Sequence, residues 1–322
     1  MRTLRALAAV SRPLSWINTA FPFAAAFILT SAQSHPVSVQ SSSTTASVVS
    51  QGDWYIGFPS GFLFSQVPWL IAIVGIVFFL IPYNLAMYGI NDVFDYESDL
   101  RNPRKGGVEG AMVDRSFHRT ILTAVVVVTV PFIVFLVLVG GPASWLVLGI
   151  SLFAVVAYSL KGLRFKERPF LDSVTSSTHF VSPAVYGLAL AGATVTPQLV
   201  ALLAAFFLWG MASHAFGAVQ DIVADREGGI ASIATVIGAR ATVRFSFAAY
   251  LLGGVLMLFT VWPGPLAALL VIPYAVTVAP WWNVADADAH TANRGWRRFL
   301  ALNFGCGFLS TLLIIWWVVS TP

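Results

Sequence analysis

One cysteine, Cys306, is present among 322 residues, so neither a disulfide framework nor a thiolate metal site is open to this chain. Charge is nearly as scarce: 10% of the residues are Asp, Glu, Lys or Arg, against 57% hydrophobic, and the mean hydropathy is +0.80. Such a balance excludes a soluble globular domain and leaves a polytopic membrane protein.

Nine apolar runs are long enough to cross a hydrocarbon layer of about 30 Å. They lie near residues 14–32, 67–89, 120–140, 142–160, 169–191, 197–219, 245–262, 264–284 and 299–319. Gly140-Gly141-Pro142 and Pro263-Gly264-Pro265 divide two pairs that would otherwise read as single long helices. All 18 Lys and Arg fall at the amino terminus or in alternate loops, within 2–12, 101–119, 161–168, 226–244 and 294–298. Nine spans with a cytoplasmic amino terminus put every one of these segments on the cytoplasmic side. The expected fold class is therefore all-α, a nine-span protein of the cell membrane. Its net charge of +4 reflects topology and contact with anionic lipid, and no nucleic-acid partner is expected.

The basic-then-apolar amino terminus imitates a secretory signal. Arg12-Pro13 and Ser15-Trp16-Ile17-Asn18-Thr19, however, place polar groups within the apolar stretch, which suits a helix facing a cavity and makes Asn18 a candidate substrate contact. Residues 33–66, including the uncharged Ser38-Val-Gln-Ser-Ser-Ser-Thr-Thr-Ala-Ser, are expected to form a flexible external loop.

Two acidic clusters close apolar runs: Asn91-Asp92-Val-Phe-Asp95-Tyr-Glu-Ser-Asp99 the second, and Asp221-Ile-Val-Ala-Asp225 the sixth. An ionised carboxylate costs about 2.5 to 3.5 kcal/mol at the centre of a membrane helix, and less toward the interface. Asn91, Asp95 and Asp99 recur every fourth residue and share a helix face, with Asp92 beside them and Tyr88 and Asn84 one and two turns deeper. Asp221 and Asp225 repeat that spacing, with His214 about two turns deeper. If the faces oppose one another, the ligands are hard oxygens that suit Mg²⁺, an ion that takes its remaining ligands from water and substrate phosphates.

The plainer reading is that these acids pair with Arg and Lys at a helix end. Like charges gathered twice at the same membrane depth repel one another, which favours a polyvalent cation. Arg101, Arg104 and Lys105, and Lys161, Arg164, Lys166 and Arg168, can contact phosphate oxygens, although a cytoplasmic Arg also serves simply as a topology determinant. Tyr88, Tyr158 and Trp16 sit on runs placed at the cavity, where aromatic faces stabilise a developing cation. His179 and His214 can either serve a site or bond across helices.

The string Asn91-Asp92-x-x-Asp95-x-x-x-Asp99, followed by Arg101-x-Pro-Arg104, resembles the first signature of the UbiA superfamily of intramembrane prenyltransferases. Tyr158-Ser159 with Arg164-x-Lys166 resembles the family's loop after the fourth span, and Asp221-x-x-x-Asp225-x-x-x-Gly229-x-x-Ser232 its second signature. Ala218 stands where that second signature often carries another Asp, and Ser232-Ile-Ala-Thr-Val replaces Thr-Leu-Pro-Val. Within the superfamily, the segments from Ser11 and from Tyr88 are most similar to actinobacterial lycopene elongases.

The resemblance implies one transmembrane prenyltransferase domain over 1–322, with nine helices around a chamber that opens sideways to lipid. It implies two Mg²⁺ ions, one on Asn91, Asp92, Asp95 and Asp99 and the other on Asp221 and Asp225. Asp95, Asp221 and Tyr158 become catalytic candidates. Asn18, Tyr88, Arg101, Arg104, Lys105, Arg164, Lys166 and His214 become substrate-binding candidates. Expected partners are a prenyl diphosphate, a hydrophobic acceptor such as lycopene, membrane lipids and carotenoid-pathway enzymes. The same fold also serves a quinone precursor, a haem or a chlorin. A transporter is a further reading, but it calls for titratable residues near the midplane rather than at one surface. A structural assembly partner is another.

Overall fold

The computed structural model describes residues 2–33, 67–99 and 114–320, with only the backbone of Arg2, Ser98 and Asp99. The expected loop over 33–66 therefore lies, beyond Gln33, outside the described residues, as do Arg101, Arg104 and Lys105. Among the described residues every regular element is helical. The helices are α1 (Arg2–Val10), α2 (Ile17–Gln33), α3 (Trp69–Leu80), α4 (Pro82–Phe94), α5 (Tyr96–Asp99), α6 (His118–Val139), α7 (Pro142–Ser159), α8 (Leu171–Leu190), α9 (Pro197–Val219), α10 (Ile222–Glu227), α11 (Ile233–Met257), α12 (Val271–Val278) and α13 (Asn293–Ser320).

Local chemistry sets most of these boundaries. Pro82, Pro142 and Pro197 occupy the first turns of α4, α7 and α9, where a missing N–H costs nothing. Thr196 caps α9 by accepting the Leu199 N–H at 3.2 Å. At α11, Ser232 and Thr235 form a reciprocal capping box. The stretches Thr3–Ser15 and Ile17–Gln33 are bent by 59° to one another, and Arg12, shortly before the bend, adopts a left-handed φ of 50°.

Among the described residues, six helical stretches are long and apolar enough to cross a membrane: Trp69–Phe94, Arg115–Val139, Pro142–Ser159, Pro197–Val219, Gly264–Trp281 and Asp286–Ser320. The bent pair α1 and α2 makes a seventh when counted as one span. All nine runs drawn from the sequence are helical over most of their length. Neither α8 nor α11 passes on apolarity and length, and α8 carries Asp172, Ser173, Thr175, Ser176, Ser177, Thr178, His179 and Ser182.

Polar groups on these helices are spent on one another. Thr19 Oγ1 donates to the Phe79 carbonyl at 2.7 Å, and Asn84 Nδ2 donates to Thr19 Oγ1 at 2.8 Å, tying α2 to the break between α3 and α4. Ser151 Oγ lies 3.0 Å from the Tyr83 hydroxyl and 2.7 Å from Ser182 Oγ, joining α7, α4 and α8. Such bonds hold helices together where burial of apolar surface supplies no drive. Around them, Phe23, Phe27, Phe78, Phe79, Tyr83 and Tyr186 form one buried core, and Phe216, Tyr250, Tyr274 and Phe299 a second.

The closest approach of α2 to α8 needs a residue without a side chain. A Cβ at Gly187 would stand 2.8 Å from the Phe23 carbonyl oxygen and 3.0 Å from the Phe27 nitrogen, both backbone atoms that cannot yield locally. Gly187→Ala is expected to destabilise the protein by about 1 to 3 kcal/mol, the usual cost of an overpacked site. Thermal unfolding in detergent measures this, and an unchanged midpoint would contradict the close approach.

Candidate active site

The acidic residues sit where helices end. The last turn of α4 presents Asn91 and Asp92, and Asp95 is its C-cap. Carboxylates there face the negative end of the helix dipole as well as one another, so the arrangement requires cations. Three are at hand. Arg12 Nη2 donates to Asp92 Oδ1 at 2.8 Å, and its guanidinium lies 4.2 Å from the Tyr88 ring centroid. Lys166 Nζ pairs with Asp95, and Arg164 Nη2 approaches the same carboxylate at 3.8 Å while also pairing with Glu167. Asn91 Nδ2 donates to Asp95 Oδ2 at 2.6 Å and to Ser159 Oγ at 3.0 Å, fixing α4 against the end of α7.

Arg12 and Arg164 both adopt left-handed backbone, with φ of 50° and 40°. That conformation is costly for a residue with a side chain and persists where the surroundings enforce it. Both side chains reach the acidic cluster from these two turns.

The second wall follows α9. Asp221 lies just past its end, and Asp225 sits on α10, whose Ile222 is fully buried as an anchor. α10 is pinned from its far side. Arg226 donates to the Thr235 carbonyl at 2.8 Å and to Asp286 Oδ2 at 2.7 Å, and Asp286 Oδ1 accepts the Ala239 N–H at 2.7 Å. Asp286 thereby satisfies the backbone beside Gly238, whose φ of +81° breaks α11.

A cavity of about 3060 Å³ separates the two walls, well above the roughly 300 to 1000 Å³ of ordinary small-ligand sites. Asn91, Asp95, Lys161, Arg164, Lys166, Asp221 and Asp225 line one end. The cavity then runs past Asn18, Tyr88, Tyr158, His179 and His214 to Gln33, Thr194 and Gln198 at the opposite ends of α2, α8 and α9.

Of the residues singled out from the sequence, the structure thus brings Asn18, Tyr88, Asn91, Asp95, Tyr158, Arg164, Lys166, His214, Asp221 and Asp225 to one chamber. Asp92 does not line it, because its carboxylate is turned to Arg12. The side chain of Asp99, like Arg101, Arg104 and Lys105, lies outside the described residues. Among the described residues, no three acidic, His or Cys side chains stand in a ready-made metal cluster. The lining acids and Asn91 nevertheless form an all-oxygen donor set of the kind Mg²⁺ takes. Sequence reasoning passed over Arg12 as a site residue, together with Ser159 and Asp286. The Arg12-Pro13 break inside an apolar run was the available signal for the first and the Tyr158-Ser159 string for the second, and none marked Asp286.

The fold and this site define a bundle of membrane-length helices around a chamber that is charged at one end and mostly apolar beyond it. Residues 55–317 match the UbiA prenyltransferase family, and the chain belongs to that family. It is 47% identical over 315 residues, 98% of each chain, to the lycopene elongase/hydratase of Corynebacterium glutamicum. It is 51% identical over 310 residues to the C(50) beta-cyclic carotenoids biosynthesis protein LbtBC of Dietzia sp. (strain CQ4), covering 96% of this chain and 64% of that longer protein. In fold it resembles a UbiA homologue from Archaeoglobus fulgidus solved with GPP and Mg²⁺, with a TM-score of 0.61 and 15% identity over 94% of this chain and 99% of that one.

The partly buried Arg12–Asp92 pair, with side chains 19% and 3% exposed, ties the segment before the first bend to α4. In a double-mutant cycle of Arg12→Ala and Asp92→Ala, a coupling of about 1 to 3 kcal/mol is expected in unfolding free energy. Additive effects would show that the pair does not fix the bend.

Proposed function

We propose that this chain is a Mg²⁺-dependent prenyltransferase that moves a five-carbon prenyl group from dimethylallyl diphosphate to lycopene, on the path to fifty-carbon carotenoids. The observation that carries the reading is the pairing of two acidic helix ends, backed by Arg164 and Lys166, with a chamber of about 3060 Å³ that reaches Gln33, Thr194 and Gln198 at the other end of the bundle. Identities of 47% and 51% to an elongase/hydratase and a C(50) carotenoid biosynthesis protein support the acceptor.

Asn91, Asp95 and Asp99 would hold one Mg²⁺, and Asp221 with Asp225 a second. Bound there, the metal neutralises the diphosphate and makes it a better leaving group. The basic side chains suit the exchange: Lys166 and Arg164, paired with Asp95, can trade that carboxylate for phosphate oxygens as the carboxylate takes the metal. Arg101, Arg104 and Lys105 follow α5 in the sequence and would add to the same grip.

The donor's C–O bond breaks and its electron pair leaves with the diphosphate. Tyr88 and Tyr158 shelter the allylic cation, and the apolar wall excludes water. The π pair of an acceptor double bond then forms the new C–C bond. Asn18 and His214 border the path of the acceptor. The positive segments support a nine-span topology in the cell membrane with the amino terminus and the charged end of the site cytoplasmic.

Membranes supplied with labelled prenyl diphosphates, lycopene and Mg²⁺ should yield lycopene heavier by five carbons per modified end, and EDTA should abolish the product. Transfer to a quinone precursor in place of lycopene, or flux without covalent change, would overturn the reading. Asp95→Asn and Asp221→Asn should each lower turnover by at least about a hundredfold, beyond what loss of an outer-shell group costs a metal site, with the unfolding midpoint retained. Full activity in either variant would contradict the assigned roles.

A further inference from the structure

We propose that Tyr158 and His214 take up the proton that leaves the acceptor when transfer is complete, with Ser173 and Asp172 as positioning residues for the imidazole. This rests on the proposed function and supplies its missing terminal base.

The four residues form one connected chain across α7, α8 and α9. The Tyr158 hydroxyl, at the chamber wall, is 3.2 Å from His214 Nε2, and Ser173 Oγ is 3.1 Å from His214 Nδ1. Asp172, beside Ser173, is fully buried at 0% exposure. Its carboxylate accepts the Ser173 N–H at 2.7 Å and the Ile233 N–H at 2.8 Å, and no basic side chain among the described residues pairs with it. A buried carboxylate held by backbone donors alone favours a cation forming nearby. An imidazolium on His214 is that cation.

Other chamber groups do not compete. Lys166 and Arg164 are engaged with Asp95 and Glu167, and the acids at the charged end serve the metal and phosphate. His179 also lines the chamber, edge-on to Tyr158 with ring centroids 5.3 Å apart, but its Nε2 is buried with no hydrogen-bond partner, so it has no relay to pass a proton along. His118 lies at the loop end of α6 beside Tyr96.

Lycopene ends in (CH₃)₂C=CH– groups. A prenyl cation adding to the CH carbon leaves a tertiary cation flanked by two methyl groups. Neutrality returns in one of two ways: a methyl C–H bond breaks and its pair becomes a new C=C, or water adds through oxygen and releases one of its protons. In either case one proton departs. Tyr158 Oη accepts it as the phenol's own proton passes to His214 Nε2, while the Nδ1–H stays bonded to Ser173 Oγ.

The test uses membranes containing the full chain, Mg²⁺, dimethylallyl diphosphate and lycopene, with and without added imidazole. Expected for His214→Ala is a kcat lower by about a hundredfold or more, the scale of general-base catalysis, with the donor KM unchanged and activity restored by imidazole. Asp172→Asn should keep the donor KM and enlarge the isotope effect seen with deuterated terminal methyls or in D₂O, which a purely structural cap would leave alone. Wild-type turnover in His214→Ala would overturn the relay. So would a loss untouched by imidazole in a variant that Mg²⁺ and an unreactive dimethylallyl thiodiphosphate still protect against heat. Where that protection is lost, Tyr158→Phe decides: reduced turnover with protection retained supports the relay, and an undiminished rate overturns it. Wild-type enzyme leaving lycopene unchanged would instead refute the proposed function, and the relay with it.

Discussion

Carboxylates at the carboxyl-terminal ends of apolar helices are the constraint to which much of this protein answers. Asp92 and Asp95, at the end of α4, face their own helix dipole, their acidic neighbours and a low-dielectric layer, and all three disfavour the charge. The fold meets this with cations brought from distant parts of the chain. Arg12 comes from the bend before α2 and reaches Asp92, while Lys166 and Arg164 come from the turn before α8 and reach Asp95. The two left-handed arginines are the local cost of delivering those charges to one place. Groups that pair with each other in this way are the same groups that a metal and a diphosphate would separate.

A second tension runs along the chamber. Helices that border it must cross an apolar layer and yet carry groups that act on substrate, and α8 shows the compromise. Its Ser, Thr, His and Asp side chains lower its hydropathy below that of a simple span, and they are largely buried against α7, α9 and α11. Ser151, Ser182 and Tyr83 bond to one another, as do Ser173, His214 and Tyr158. Polarity is thus kept inside the bundle, where most of these groups find a partner and His179 Nε2 is buried without one.

The sequence made the helices legible because apolar runs of membrane length admit few alternatives, and it made the acidic walls legible because their four-residue spacing puts charges on one helix face. Asn91, Asp95, Asp221 and Asp225 do meet at one cavity, with Tyr158 and His214 deeper along it. What spacing could not convey was pairing across the fold. Arg12 lies 80 positions from Asp92, and Arg226 lies 60 from Asp286, so neither contact leaves a local pattern. For the same reason the rotation of Asp92 away from the chamber was hidden: helical periodicity fixes a face, and the cation that claims the carboxylate is chosen by the tertiary fold. Asp172 reads as an ordinary acid at the start of a helix until the amide of Ile233 is seen to close over it.

The central claim is that the two acidic walls share a metal-bound diphosphate. Anomalous diffraction from crystals grown with Mn²⁺ and an unreactive dimethylallyl thiodiphosphate tests it most directly. The account predicts manganese peaks beside both Asp95 and Asp221, with the diphosphate between them and Lys166 shifted from Asp95 to a phosphate oxygen. A diphosphate bound elsewhere, or manganese absent from both carboxylates while Lys166 stays on Asp95, would contradict it.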